Sequence, residues 1–108
     1  MVYPDNELVV LDIAGDCARV VCNSHDNIGS LVRLGFTLEG DQWVRPIIDV
    51  LDRQTLVCAL IELKALFSDG GGWSPAELVD FFRTQGATKT TYRMISWRSP
   101  NQYVIVDR

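Results

Sequence analysis

The spacing of apolar positions changes several times along this chain, and each change marks a predicted element. Leu8-Val9-Val10-Leu11 is a β-prone run, Ile13-Ala14 leads into Gly15-Asp16, and Arg19-Val20-Val21-Cys22 is a matching run beyond it. A Gly-X pair suits a two-residue turn because glycine takes positive φ at no steric cost, so Glu7–Cys22 is predicted to be a β-hairpin. From Asn23 to Phe36 the spacing becomes helical. Ile28, Leu31, Val32 and Leu34 fall on one face, and Ser24, Asp26 and Asn27 are candidate N-caps. Gly35 fits the left-handed position after a helix, with Phe36 folding back on the last turn. Phe36–Val44 reads as a second hairpin turning at Glu39-Gly40-Asp41, and Pro46 limits its return strand.

The pattern then loses its polar face. Between Asp49 and Phe67 the residues Leu56, Val57, Leu60, Ile61, Leu63, Ala65, Leu66 and Phe67 make a predicted helix apolar over most of its circumference. Such a helix is buried. Ser68–Gly72 reads as a loop. Ser74, Pro75 and Glu77 then form a capping box with proline at the first helical position, and Trp73 is placed to staple onto Leu78. That helix is predicted to stop near Gly86. Thr90–Trp97 is rich in β-branched and aromatic residues, Ser99–Gln102 is a turn, and Tyr103–Val106 is a strand. The sum is one α+β domain over residues 1–108, with antiparallel hairpins packed on a buried central helix in the order roughly ββαββααββ.

Length and composition agree with this reading. The chain has 108 residues, 47% hydrophobic and 22% charged, the balance of an ordinary globular domain able to bury a core. The longest stretch without Asp, Glu, Lys or Arg is eight residues, far below the roughly twenty needed to span a membrane. Met1–Glu7 has no basic and apolar regions of the kind a signal peptide carries. Three cysteines, Cys17, Cys22 and Cys58, are an odd number and argue against a disulfide framework. A cytoplasmic setting is therefore expected, without membrane attachment.

Charge is distributed unevenly. The net charge is −4, yet residues 1–80 carry −8, while residues 81–106 hold Arg83, Lys89, Arg93 and Arg98 and no acid. An acidic body with a basic end hints at a polyanion or an acidic partner. The same four charges would also suit an ordinary solvated face.

Candidate chemistry is sparse. His25, the only histidine, lies near Cys22 and Asp26, but no motif supports a nucleophile-and-base pair. Cys17, Cys22 and His25 lack a fourth ligand and the usual zinc spacing, and an offset of five along one strand places the two thiols on opposite faces. Gly70-Gly71-Gly72 precedes a capped helix, but lacks the Lys-Ser/Thr of a phosphate-binding loop. An enzyme is not expected, nor is a cofactor or a metal.

The stretch SPAELVDFF, followed by Gly86-Ala87 and TKTTYRMISW, resembles the second helix, turn and recognition helix of a winged helix-turn-helix DNA-binding domain, with Tyr103–Val106 in the wing. The resemblance covers residues 74–106. It implies that Lys89, Thr90, Tyr92 and Arg93 face DNA, and that Arg83 and Arg98 meet phosphates. Thr90-Thr91-Tyr92 is poor helix material, so a β-hairpin stands beside the recognition helix as a reading of this stretch. In the hairpin, Lys89, Arg93, Ile95 and Trp97 share one face.

Two functions are expected from these features. The first is a non-enzymatic nucleic-acid-binding or regulatory module that meets DNA or RNA through Arg83, Lys89, Arg93 and Arg98. The second is a protein-interaction or inhibitor module, whose partner is another protein or a second copy of the chain, with Tyr92 and Trp97 as candidate interface aromatics. A single basic face favours the first, and scattered basic residues favour the second.

Overall fold

The structure, a computed structural model, describes residues 2–70, 73–86, 88 and 91–108. The α+β class is as expected, and the element order is ββαββαβαββ. Strands β1 (Leu8–Asp12), β2 (Cys17–Cys22), β3 (Thr37–Glu39), β4 (Gln42–Pro46), β5 (Leu66–Asp69), β6 (Arg93–Ser99) and β7 (Gln102–Asp107) form one sheet in the order β3-β4-β2-β1-β5-β6-β7. Strand β5 lies between β1 and β6 and runs parallel to both, whereas the other neighbours are antiparallel.

Helices α1 (His25–Arg33), α2 (Val50–Glu62) and α3 (Pro75–Thr84) share their core with one face of the sheet. Leu8, Val10, Ala18, Val20, Phe67 and Met94 from the strands meet Leu31, Leu56, Val57, Leu60, Val79 and Phe82 from the helices. On the opposite face, Val9, Leu66 and Ile95 form a smaller cluster with Tyr3, Leu11, Trp97 and Tyr103 against it. The central strands are thus apolar on both faces, which explains the unbroken Leu8-Val9-Val10 run.

The N-terminal segment straps this second face. Val2 N–H donates to Pro100 O at 2.8 Å, Trp97 Nε1–H donates to Val2 O at 2.9 Å, and the Tyr3 ring meets Trp97 edge-on.

Several local expectations need correction. The first hairpin turns through residues 13–16, with the Asp12 carboxylate accepting from Ala14 and Gly15 N–H; a side-chain-closed loop replaces the two-residue Gly-Asp turn. Helix α2 ends at Glu62, and the residues read as its last turn are β5. Its stop is a Schellman motif, in which Ala65 N–H reaches Leu60 O and Lys64 N–H reaches Ile61 O. Lys64 takes the left-handed position at φ 63°, where glycine is usual, so the sequence carries no stop signal there. Trp73 is exposed and stacks edge-on with Phe81, so it is not a staple on Leu78. Other caps are as expected. Ser74 Oγ accepts from Glu77 N–H, Pro75 opens α3, and Gly35 at φ 94° closes α1 with Phe36 N–H bonded to Leu31 O.

Of the two readings of residues 89–98, the strand is found over Arg93–Ser99, so this stretch is not a recognition helix. Its residues pair with β5 on one side and β7 on the other, and Ile95 is fully buried, a setting that suits its β-branched and aromatic content. Lys89 and Thr90 lie outside the described residues.

Candidate interaction surface

The described basic residues of the C-terminal segment, Arg83, Arg93 and Arg98, do not line one track. Arg83 sits in the last turn of α3, its Nη1 3.9 Å from Asp80 Oδ1 and its guanidinium 5.7 Å over the Tyr92 ring. Arg93, at the start of β6, grips Glu7 with both terminal nitrogens, at 2.9 and 3.1 Å, and also donates to Lys64 O. The Glu7 carboxylate raises the Arg93 pKa further. Arg93 shares the face of Leu66, which carries the strapped cluster, whereas Arg83 belongs to the helix layer on the other side. Arg98 is exposed near the far end of β6, about 16 Å along the strand from Arg93.

The two candidate aromatics also separate. Tyr92 is only 3% exposed and lies beneath α3, where its hydroxyl donates to Asp80 Oδ1 at 2.9 Å. Burial, reinforced by the Asp80 carboxylate, pushes its pKa up to about 12. It is a core residue rather than an interface residue. Trp97 is half-buried between Tyr3 and Tyr103.

A cleft of about 670 Å³ is lined by Lys64, Tyr92, Arg93, Asp107 and Arg108, with Arg93 already bound to Glu7. A cleft of about 400 Å³ is lined by Asp5, Cys22, Asn23, Ser24 and His25, but the Cys22 thiol is committed to Ser24 O at 3.1 Å. Among the described residues, no three of His, Cys, Asp and Glu are grouped to hold a metal. No helix formed by the described residues is long and apolar enough to cross a membrane.

The surface that stands out is the outer edge of β7. Strands β3 and β7 are the two edges of the sheet. An edge presents unpaired N–H and C=O groups that another chain can use, and proteins commonly guard it with short strands, charge or proline. Strand β3 is guarded by being only three residues long. Strand β7 has six residues, and its stretch Tyr103-Val104-Ile105-Val106 contains no charge, proline or glycine. Val104, Ile105 and Val106 are 36%, 38% and 39% exposed.

The outward groups follow from the β6–β7 register. Arg108 N–H donates to Tyr92 O at 2.8 Å, which makes Tyr92/Arg108 a hydrogen-bonded pair. Alternation then makes Met94/Val106 and Ser96/Val104 hydrogen-bonded pairs, and makes Arg93/Asp107, Ile95/Ile105 and Trp97/Tyr103 the non-bonded ones. The N–H and C=O groups of Tyr103, Ile105 and Asp107 therefore point away from the sheet. Side chains alternate too. Val104 and Val106 lie on the helix side with Met94, and Tyr103 and Ile105 lie on the strapped side with Ile95 and Trp97. Arg108 is held back from the edge, its Nη1 3.4 Å from Met94 Sδ and 3.7 Å from Asp80 Oδ2.

Comparison with family models, with curated proteins and with solved structures finds no match to this chain.

Proposed function

We propose that this protein is a non-enzymatic interaction module that takes a partner strand along β7. The observation that carries this reading is the edge itself. It is six residues long, apolar on both faces, and has the backbone groups of Tyr103, Ile105 and Asp107 facing outward. A strand apolar on both faces belongs inside a sheet rather than at its border. Strand addition would supply the missing neighbour, with backbone hydrogen bonds for affinity and alternate side chains for selectivity.

The dispersal of the basic residues supports the protein reading over the nucleic-acid one. Arg93 is neutralised by Glu7, Arg83 lies beside Asp80, and Arg98 stands apart at the other end of β6. Nucleic-acid binding by a basic surface needs several free cations along one track and weakens steeply with salt.

The test uses a six-residue peptide of alternating Val and Thr with a lysine at each end, titrated into the isotope-labelled full chain. The amide signals of Tyr103, Ile105 and Asp107 should shift, and those of β3 should stay still. Unmoved β7 amides at millimolar peptide, in a sample shown by sedimentation to be monomeric, would overturn the reading. So would salt-sensitive binding of labelled DNA or RNA that is lost on changing Arg93 and Arg98 to Glu.

A further inference from the structure

We infer that the strand received at β7 is the β7 of a second copy, paired antiparallel about a two-fold axis at Ile105. This rests on the reading of β7 as an open docking edge, and it names the occupant. The outward-facing residues are Tyr103, Ile105 and Asp107. A two-fold through Ile105 exchanges Tyr103 with Asp107 and leaves Ile105 facing itself. The set is closed under that operation, so every outward N–H and C=O meets an outward partner, forming about six hydrogen bonds across the junction. A self-complementary patch of this kind is what a two-fold interface requires.

Side chains agree with the same register. Ile105 meets Ile105 of the other copy on the strapped face, and Val104 meets Val106 on the helix face. Asp107 falls opposite the Tyr103 phenol rather than opposite another carboxylate. Each exposed aliphatic of the edge gains an aliphatic neighbour, the cross-strand pairing that stabilises sheets. The two sheets become one, continuous across the axis.

Charge favours this edge as well. The chain is acidic overall, at −4, so two copies repel over most of their surface. The carboxylates are concentrated in residues 1–80, and the segment 81–106 has none. Two of its cations, Arg83 and Arg93, have an acidic partner in place. Glu7 holds Arg93, and Asp80 lies near both Arg83 and Arg108. The stretch Tyr103–Val106 carries no charge, and it is where two copies can approach without opposing their acidic bodies.

Sedimentation equilibrium of the full chain from micromolar to millimolar concentration tests this, with two variants beside the wild type. Ile105→Lys places like charges face to face on the axis. Ile105→Pro removes an N–H that points outward and is not needed by β6. The wild type should form a dimer, and both variants should weaken it at least tenfold. Far-UV circular dichroism and the urea midpoint, measured on dilute samples, identify the variants that stay folded, and either folded variant suffices. Protection of the Ile105 amide against hydrogen exchange should rise with wild-type concentration. A dimer indifferent to both variants would overturn the inference. A wild type monomeric at millimolar concentration would also overturn it, and the Val/Thr peptide then separates two cases. Shifted β7 amides leave the docking edge standing without the second copy; unmoved amides remove both.

Discussion

Replacing Tyr92 by Phe removes one hydroxyl from beneath α3 and leaves the ring, which packs edge-on against Phe67 with centroids 5.7 Å apart. The hydroxyl is buried and donates to the Asp80 carboxylate at 2.9 Å. A hydrogen bond to a charged acceptor contributes about 1.5 to 3 kcal/mol, and removing it frees Asp80 to take up water, so the variant should lose about 1 to 2 kcal/mol at pH 7. The pH dependence discriminates further. The Tyr92 pKa is pushed up to about 12 in the folded protein, chiefly by burial and then by Asp80, against 10.0 for the free side chain. A group whose folded pKa is raised contributes stability that is present below its unfolded pKa and is lost as pH rises toward the folded value. By pH 11 about 1 kcal/mol of the wild-type advantage should be gone, and near pH 12 about 2 kcal/mol, so the advantage is cancelled. Urea denaturation of both proteins at pH 7, 10 and 11 measures this, and the difference between them cancels Tyr3 and Tyr103. A difference that stays constant from pH 7 to pH 11 would refute the buried, Asp80-paired hydroxyl.

Three further outcomes can be measured by the same denaturation assay. Ser74→Ala removes the oxygen that accepts from Glu77 N–H at 3.3 Å, and should cost about 1 kcal/mol. Lys64→Gly relieves a left-handed backbone at φ 63° at the end of α2, and should stabilise by about 0.5 to 1 kcal/mol; a loss would mean that the Lys64 side chain matters more than the strain. Asp52 accepts from Arg45 Nη1–H and Nη2–H and from Ile48 N–H, and these bonds, led by Arg45, hold its pKa below the usual carboxylate range. The stability it supplies is therefore present above about pH 4 and lost as pH falls through its folded pKa, so Asp52→Asn should flatten the acid limb of the stability curve.

Local grammar was legible where a short-range signal existed. The Ser74-Pro75-Glu77 cap and the Gly35 stop were readable because the residues that make them are near neighbours. Strand β5 was not readable. Lys64 ends α2 in a conformation that glycine normally advertises, and Leu66-Phe67 continues an apolar run that fits a buried helix as well as a buried strand. That one misreading hides the sheet order, because β5 enters between β1 and β6 and turns a set of hairpins into a mixed sheet. The fate of Arg93 was equally hidden. Its partner Glu7 lies 86 residues away, and only the parallel β1–β5–β6 arrangement brings the two together.

The candidate site follows from the same topology. Tyr103–Val106 announces a strand in the sequence, and its four consecutive apolar residues announce burial on both faces. Sequence alone places no edge, because an edge is a property of strand order. With β5 taking the inner side of β6, the position left for β7 is outermost, where Val104, Ile105 and Val106 stay exposed. The N-terminal strap reaches Trp97 and Pro100 on the strapped side, and Arg108 reaches Asp80 on the helix side. Each of these contacts closes the hairpin inward and leaves the outward groups of Tyr103, Ile105 and Asp107 untouched. The fold secures β7 on its inner side and leaves Tyr103–Val106 uncharged on its outer side, where a single lysine at Ile105 would guard it. Isoleucine there suits an edge completed by another strand. The six-residue length and the two-faced apolar pattern are what the proposed second strand would complete.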